Sequence, residues 1–147
     1  MKEQETDLCL THRVVVRFSE VDSIRTVWHG HYVSYLEDAR EAFGRKYGLE
    51  YMTIFNNGFF APVYELNMHY RHIATIDDVL LVRIVYCLTT GAKIVFHYEV
   101  THESDGQLVL TAESVQLFTT TAGEFFLQEP DFYKTWKNRV LTENIPT

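Results

Sequence analysis

Cysteine is scarce in this chain. Cys9 and Cys87 are the only two among 147 residues, and no Cys-x-x-Cys occurs. That excludes a thiol zinc ribbon and a disulfide framework, and it points to a reducing, cytoplasmic setting. Proline is equally sparse. Pro62, Pro130 and Pro146 stand apart, and no Gly/Ser/Pro-rich linker divides the sequence. With a length typical of one domain, residues 1–147 read as a single domain, with 1–8 as a frayed tail. Basic residues are outnumbered, 13 against 20 acidic, for a net charge of −7. That disfavours a nucleic-acid binder, which needs a basic face against phosphates, while leaving room for a small local basic pocket. The most apolar run, Val79 to Leu88, is short and broken by Arg83, so no membrane-spanning helix is expected. The opening MKEQETD is too polar and acidic for a signal or transit peptide. Gly-x-Ser-x-Gly, P-loop, Gly-x-Gly-x-x-Gly and His-Glu-x-x-His motifs are all missing.

Aromatic residues, by contrast, reach 14%. Many of them fall into periodic patterns. His12 to Phe18 alternates as a strand, with Val14, Val16 and Phe18 on one side. Residues 19–30 are irregular. Tyr32, Tyr35, Leu36, Ala39, Phe43 and Tyr47 then form one apolar stripe at helical spacing, stopped by Gly48 and Leu49. Glu41 and Arg45 are placed for an i,i+4 pair. Residues 50–61 form a connection with a helical turn and an Asn57-Gly58 corner. Four β-rich stretches follow: from Pro62 to Arg71, Val79 to Leu88, Lys93 to Thr101 and Leu108 to Thr119. The Val79 run reads as a strand buried on both faces. Short joins favour antiparallel hairpins. Residues 130–141 read as a short amphipathic helix with Phe132, Trp136 and Val140 in register. The order β-α-β-β-β-β with a C-terminal helix is an α+β layer architecture, one long helix against one antiparallel sheet. Open sheet edges predict pairing of copies, at least a dimer.

The histidine pairs His29/His31 and His69/His72 lack a companion carboxylate or cysteine at metal-ligand spacing, so no metal site is expected. The segment before the helix is more informative. Asp22 lies in a loop, and His29 stands seven residues later at the helix start. No Ser, Thr, Asp or Asn caps that helix, so its first N–H groups have no side-chain acceptor of their own. Free N–H groups backed by the helix dipole suit a carbonyl or anionic oxygen. A carboxylate facing them across an acyl carbon could support acyl transfer. Spacing alone equally describes an ordinary turn-making loop aspartate.

The stretch VRFSEVDSIRTVWHGHYVSYLEDARE resembles the signature of the 4-hydroxybenzoyl-CoA thioesterase-like branch of the hotdog-fold thioesterases. Arg17, Phe18, Glu20, Asp22, Val27, Trp28, His29, Tyr32, Glu37 and Arg40 match it in place. The resemblance implies a hotdog fold, hydrolysis of an acyl-CoA thioester to a free acid and CoA, and no metal or cofactor. It implies Asp22 as nucleophile or general base and the His29 amide as oxyanion donor, with Trp28 and Tyr32 near the acyl group. Tyr32 also begins the apolar stripe, and packing is its plainer role. Glu37 and Arg40 read as a structural pair on the helix. Arg25 stands where the family usually has glycine, and either redirects the loop or reaches a charge on the substrate. His31 stands where asparagine is common. For CoA phosphates the candidates are Arg71, Arg83, Lys93 and the Lys134/Lys137/Arg139 group, against a merely solvated face. The partners implied are acyl-CoA, or an acyl group on ACP, and further copies of the chain as a homodimer or homotetramer. The rival readings are an acyl-ACP thioesterase, a non-catalytic acyl-CoA-binding hotdog protein and a dehydratase-like hotdog, the last needing a His/Asp arrangement not found here.

Overall fold

The structure is a computed structural model that describes residues 4–143. Its axis is α1, His31–Tyr47, which buries Tyr32, Tyr35, Leu36, Ala39, Phe43 and Gly44 along the expected stripe. Removing a large apolar side chain such as Phe43 from water contributes about 1.5–3 kcal/mol. The off-stripe Glu41 and Arg45 pair on the solvent side. Gly48 ends the helix at φ 79°, and the Gly48 and Leu49 amides both return to the Gly44 carbonyl. A left-handed residue is what this reversal needs, and glycine adopts it without a Cβ clash.

Five strands curl around that helix in the order β1-β4-β5-β6-β3, every neighbouring pair antiparallel. They are β1 (Gln4–Val15), β3 (Val63–Tyr70), β4 (Val79–Leu88), β5 (Lys93–His102) and β6 (Leu108–Leu117). Register places Val82 opposite Val100, Ile84 opposite Tyr98 and Tyr86 opposite Phe96, all buried on the helix side. This is the α+β arrangement of one helix held by one antiparallel sheet that the pattern predicted.

Several details differ from the sequence expectation. The stretch expected as a tail is strand from Gln4 onward, with Leu8 fully buried; residues 1–3 lie outside the described residues. Strand β1 stops at Val15, and Phe18 is not on its inner side but 79% exposed in a 3-10 turn, Phe18–Glu20. Strand β4 is buried on both faces only from Ile84 to Cys87. Two short elements escaped the periodicity: α2 (Tyr51–Asn56), expected only as a turn, and a two-residue ladder of β2 (Phe59–Phe60) with β7 (Thr119–Thr120). Helix α3, Asp131–Glu143, packs Tyr133, Trp136 and Val140 inward. Its Trp136 Nε1–H donates to the Tyr47 carbonyl at 2.7 Å, closing the C-terminal end of α1. Among the described residues, strand β3 pairs on one side only, with β6, and leaves Val63, Tyr64 and Tyr70 exposed.

Candidate active site

Residues 20–28 fold back on themselves. The Trp28 amide donates to the Glu20 carbonyl, Val21 bridges Val27, and the Asp22 amide donates to the Thr26 carbonyl. Glu20 pins the base of this loop. Its Oε1 accepts from the Arg17 amide at 2.8 Å and from the Tyr35 hydroxyl at 2.9 Å. Burial and that carboxylate hold the Tyr35 phenol well above its ordinary pKa. The loop also docks on the 72–78 segment, where Thr26 bridges Thr75 and the Val27 amide reaches the Ala74 carbonyl.

Asp22 sits at the tip, part-buried. Its Oδ1 accepts from the Ile24 amide at 3.0 Å, the Thr26 amide at 3.3 Å and the Thr26 hydroxyl at 3.4 Å. Through Oδ1 it shapes the turn. Its second oxygen, Oδ2, makes no hydrogen bond among the described residues. Arg25 closes the turn at φ 66°, with its amide on the Asp22 carbonyl at 3.0 Å. The backbone thus takes the conformation that glycine favours, and the arginine occupies it at a cost of about 1–2 kcal/mol. Its side chain is exposed.

Beyond the loop the chain enters α1 through Gly30, whose side-chain-free N-cap makes no capping bond. The His29 and Gly30 amides have no acceptor among the described residues, while the His31 amide reaches the Trp28 carbonyl. Trp28 is 48% exposed and lies across this start. A Cβ on Gly30 would fall 2.1 Å from Trp28 Cζ3. The indole is flanked by the rings of His29 at 4.9 Å and His31 at 5.6 Å. From the edge strand, the Tyr70 hydroxyl donates to the His29 carbonyl at 3.0 Å and its ring packs edge-on against Tyr32.

The structure thus gathers Trp28, His29, His31, Tyr32 and Tyr70 at one end of α1 and sets Asp22 across the loop from them. No contact joins the Asp22 and His29 side chains among the described residues. Tyr32 is only 3% exposed, a core residue, and burial pushes its phenol up to about 12. Glu37 and Arg40 do not pair with each other among the described residues; Arg40 instead faces the buried Tyr98 hydroxyl. The Lys134/Lys137/Arg139 group sits at the far end of α1. Lys137 pairs with Glu129 and donates to the Thr89 carbonyl, and the Arg139 guanidinium lies against Gly48. Seventeen residues of helix, about 25 Å, separate that end from His31. Among the described residues no three His, Cys, Asp or Glu side chains converge as a metal-ligand set, and no helix is long and apolar enough to cross a membrane.

Sequence reasoning missed two features. The Tyr70 bridge joins residues 41 apart and leaves no local signal. The second is a cavity of about 540 Å³ between the later turns of α1, α2 and the inner face of β5 and β6. Its signal was present: Gln116 shares the inward face of β6 with Leu110, Ala112 and Ser114, where an apolar residue belongs.

The frame is one long helix wrapped by an antiparallel sheet and entered through the Asp22 loop and an uncapped start. The thioesterase-like superfamily model matches residues 16–136, and the chain belongs to that family of thioester hydrolases. A Bacillus subtilis relative, YneP, whose name assigns it provisionally to the acyl-CoA thioesterases, is 26% identical over 101 residues, covering 69% of this chain and 72% of that protein. The crystal structure of hypothetical protein TT1821 from Thermus thermophilus superposes with a TM-score of 0.77 at 30% identity, over 89% of this chain and 98% of that one. The 4-hydroxybenzoyl-CoA thioesterase of Pseudomonas sp. strain CBS-3 superposes with a TM-score of 0.75 at 24% identity, over 87% and 98%. That likeness carries the fold: the sheet and helix are those of a hotdog. Acyl-CoA thioesterase activity is a property of the family.

Proposed function

We infer that this chain hydrolyses an acyl-CoA thioester to a free acid and CoA, with Asp22 as the reacting carboxylate and the His29 amide as the oxyanion donor. One observation carries the reading. Asp22 is oriented through Oδ1 alone, which leaves Oδ2 open on the loop that delivers the chain to the unpaired His29 and Gly30 amides. Attack by Oδ2 on the thioester carbon would move the carbonyl electron pair onto oxygen, where the amide and the helix dipole stabilise it. Collapse would expel CoA thiolate and leave a mixed anhydride, which water opens to acid and aspartate. In the general-base variant the same oxygen takes the proton of an attacking water.

Trp28 supports an acyl-facing role, because its indole borders the free amides while staying half exposed. Of the cations considered for CoA phosphates, the exposed Arg71 follows Tyr70 directly and so shares the His29 end of α1, as does the exposed Arg25. The α3 group is at the wrong end. The one-sided pairing and exposed tyrosines of β3 support assembly of copies, a homodimer or homotetramer, through that edge.

The test is thiol release from a panel of aliphatic and aromatic acyl-CoAs by wild type and Asp22→Asn. The asparagine keeps an oxygen for the Ile24 and Thr26 amides, so the variant should melt with wild type and lose ~10²-fold or more in turnover. Hydrolysis at near-wild-type rate by this variant would remove Asp22 from the chemistry.

A further inference from the structure

The cavity between α1, α2 and the sheet lies apart from Asp22 and His29; of the motif residues named above, only Glu37 and Arg40 line it. Its volume of about 540 Å³ is that of a small-molecule site. Phe43 and Leu49 form its helix side, Ile54 of α2 its lid side, and Ile94 and Phe96 of β5 its floor, all buried apolar groups, while the charged Glu37, Arg40, Glu41, Arg45 and Glu50 share the lining on the α1 and α2 side. One amide also belongs to the lining. Gln116 is 8% exposed; its Nε2 donates to the Ala61 carbonyl at 2.7 Å, and its Oε1 is buried with no hydrogen-bond partner. A buried acceptor without a partner is rare in a folded protein, because it has surrendered water and gained nothing in return. The neighbouring polar side chain on the same strand face, Ser114, is satisfied by the Tyr98 hydroxyl at 2.8 Å, so the sheet interior does not leave polar groups idle as a rule.

We propose that this cavity is a binding chamber for the distal part of the acyl group, and that Gln116 Oε1 accepts a hydrogen bond from a hydroxyl or amino donor carried there. The chamber wall on α1 begins at Glu37, six residues past His31, about 9 Å along the helix. An acyl group reaching it from that end is therefore extended, with its donor remote from the thioester. The inference rests on the thioesterase reading only for the origin of the ligand; the chamber and its acceptor stand on geometry. The mechanism of selection is the cost of mismatch. A plain alkyl or phenyl end fills the apolar walls but leaves Oε1 dry, whereas a donor-bearing end satisfies it.

The experiment compares two pairs of free acids, octanoate with 8-hydroxyoctanoate and 3-phenylpropanoate with 3-(4-hydroxyphenyl)propanoate. Each is titrated calorimetrically into the full chain, and the four CoA esters are assayed alongside. The hydroxylated member of at least one pair should bind roughly tenfold tighter than its partner, the worth of one hydrogen bond to a buried acceptor. Gln116→Met, similar in volume but without the acceptor, should reduce that ratio to about one. Ile54→Trp, which fills the chamber from the opposite wall, should abolish binding of both members. Equal affinity within both pairs in wild type would overturn the role of Gln116 without recourse to any variant. Absence of binding by all four acids would overturn the chamber. Hydrolysis of the CoA esters with no binding of the four acids would leave the thioesterase reading intact and remove the chamber. Discrimination without hydrolysis would do the reverse.

Discussion

The two ends of α1 are built on opposite principles. At the C-terminal end two of the orphan carbonyls are used: Gly44 receives the amides of Gly48 and Leu49, and Tyr47 receives the indole of Trp136. The Tyr47 hydroxyl meanwhile fastens the helix to the Cys9 carbonyl of β1 at 3.1 Å. The Arg139 guanidinium from α3 lies against this negative end of the dipole. At the N-terminal end the amides of His29 and Gly30 are left open, the cap has no side chain, and the preceding turn holds an arginine in a left-handed conformation. One end is closed for stability. The other retains donors without a protein acceptor among the described residues, and backbone strain at Arg25.

The contrast can be broken by substitution, beginning with the largest effect. Trp136→Ala removes a nearly buried indole and its bond to Tyr47, and should cost about 3–5 kcal/mol in denaturant melts. Turnover per folded molecule should stay near wild type, since the loss is at the closed end. The left-handed residues on either side of α1, Gly48 after it and Arg25 before it, make a matched pair. Gly48→Ala adds a Cβ where φ is 79° and should destabilise by about 1–2 kcal/mol. Tyr70→Phe keeps the ring against Tyr32 and loses only the bond to the His29 carbonyl. It should lower kcat roughly two- to tenfold with KM unchanged, because one exposed hydrogen bond is worth ~0.5–1.5 kcal/mol. A change in melting temperature without a change in kcat would make Tyr70 a packing residue only. Smallest is Arg25→Gly. Relief of the left-handed strain is partly offset by the flexibility of an unfolded glycine, so a gain of about 1 kcal/mol or less is expected. A loss of stability instead would mean that the arginine side chain contributes a contact of its own.

What could be read from the sequence follows the same division. Periodicity made α1 and the core strands legible, because Tyr35, Leu36, Ala39 and Phe43 have to face one sheet and Ile94, Phe96, Tyr98 and Val100 have to face one helix. The bare helix start was legible too, from the want of a capping residue at Gly30. Short elements were not. Phe59 and Phe60 form a strand only because Thr119 and Thr120 meet them, a tertiary pairing with no period of its own. Gln4 to Leu8 looks like a polar tail because its strand lies at a sheet edge, with Gln4, Glu5 and Asp7 turned to water. The roles of the site residues were legible as types and not as contacts. Nothing around Asp22 announces that Oδ1 is committed to the turn, and nothing around Arg40 announces that it turns toward Tyr98 rather than Glu37.

The chain contains just two tryptophans, and the fold has put one at each end of α1. Trp136 is sealed between Tyr86 and Tyr133, whereas Trp28 stands in the open between two histidines. The molecule is therefore labelled at both ends with no dye added. A soluble quencher would reach one indole and not the other. Protonation of His29 or His31 would dim the exposed emitter alone. Light from the buried one would then report whether the chain is folded, and light from the exposed one whether anything has arrived beside it.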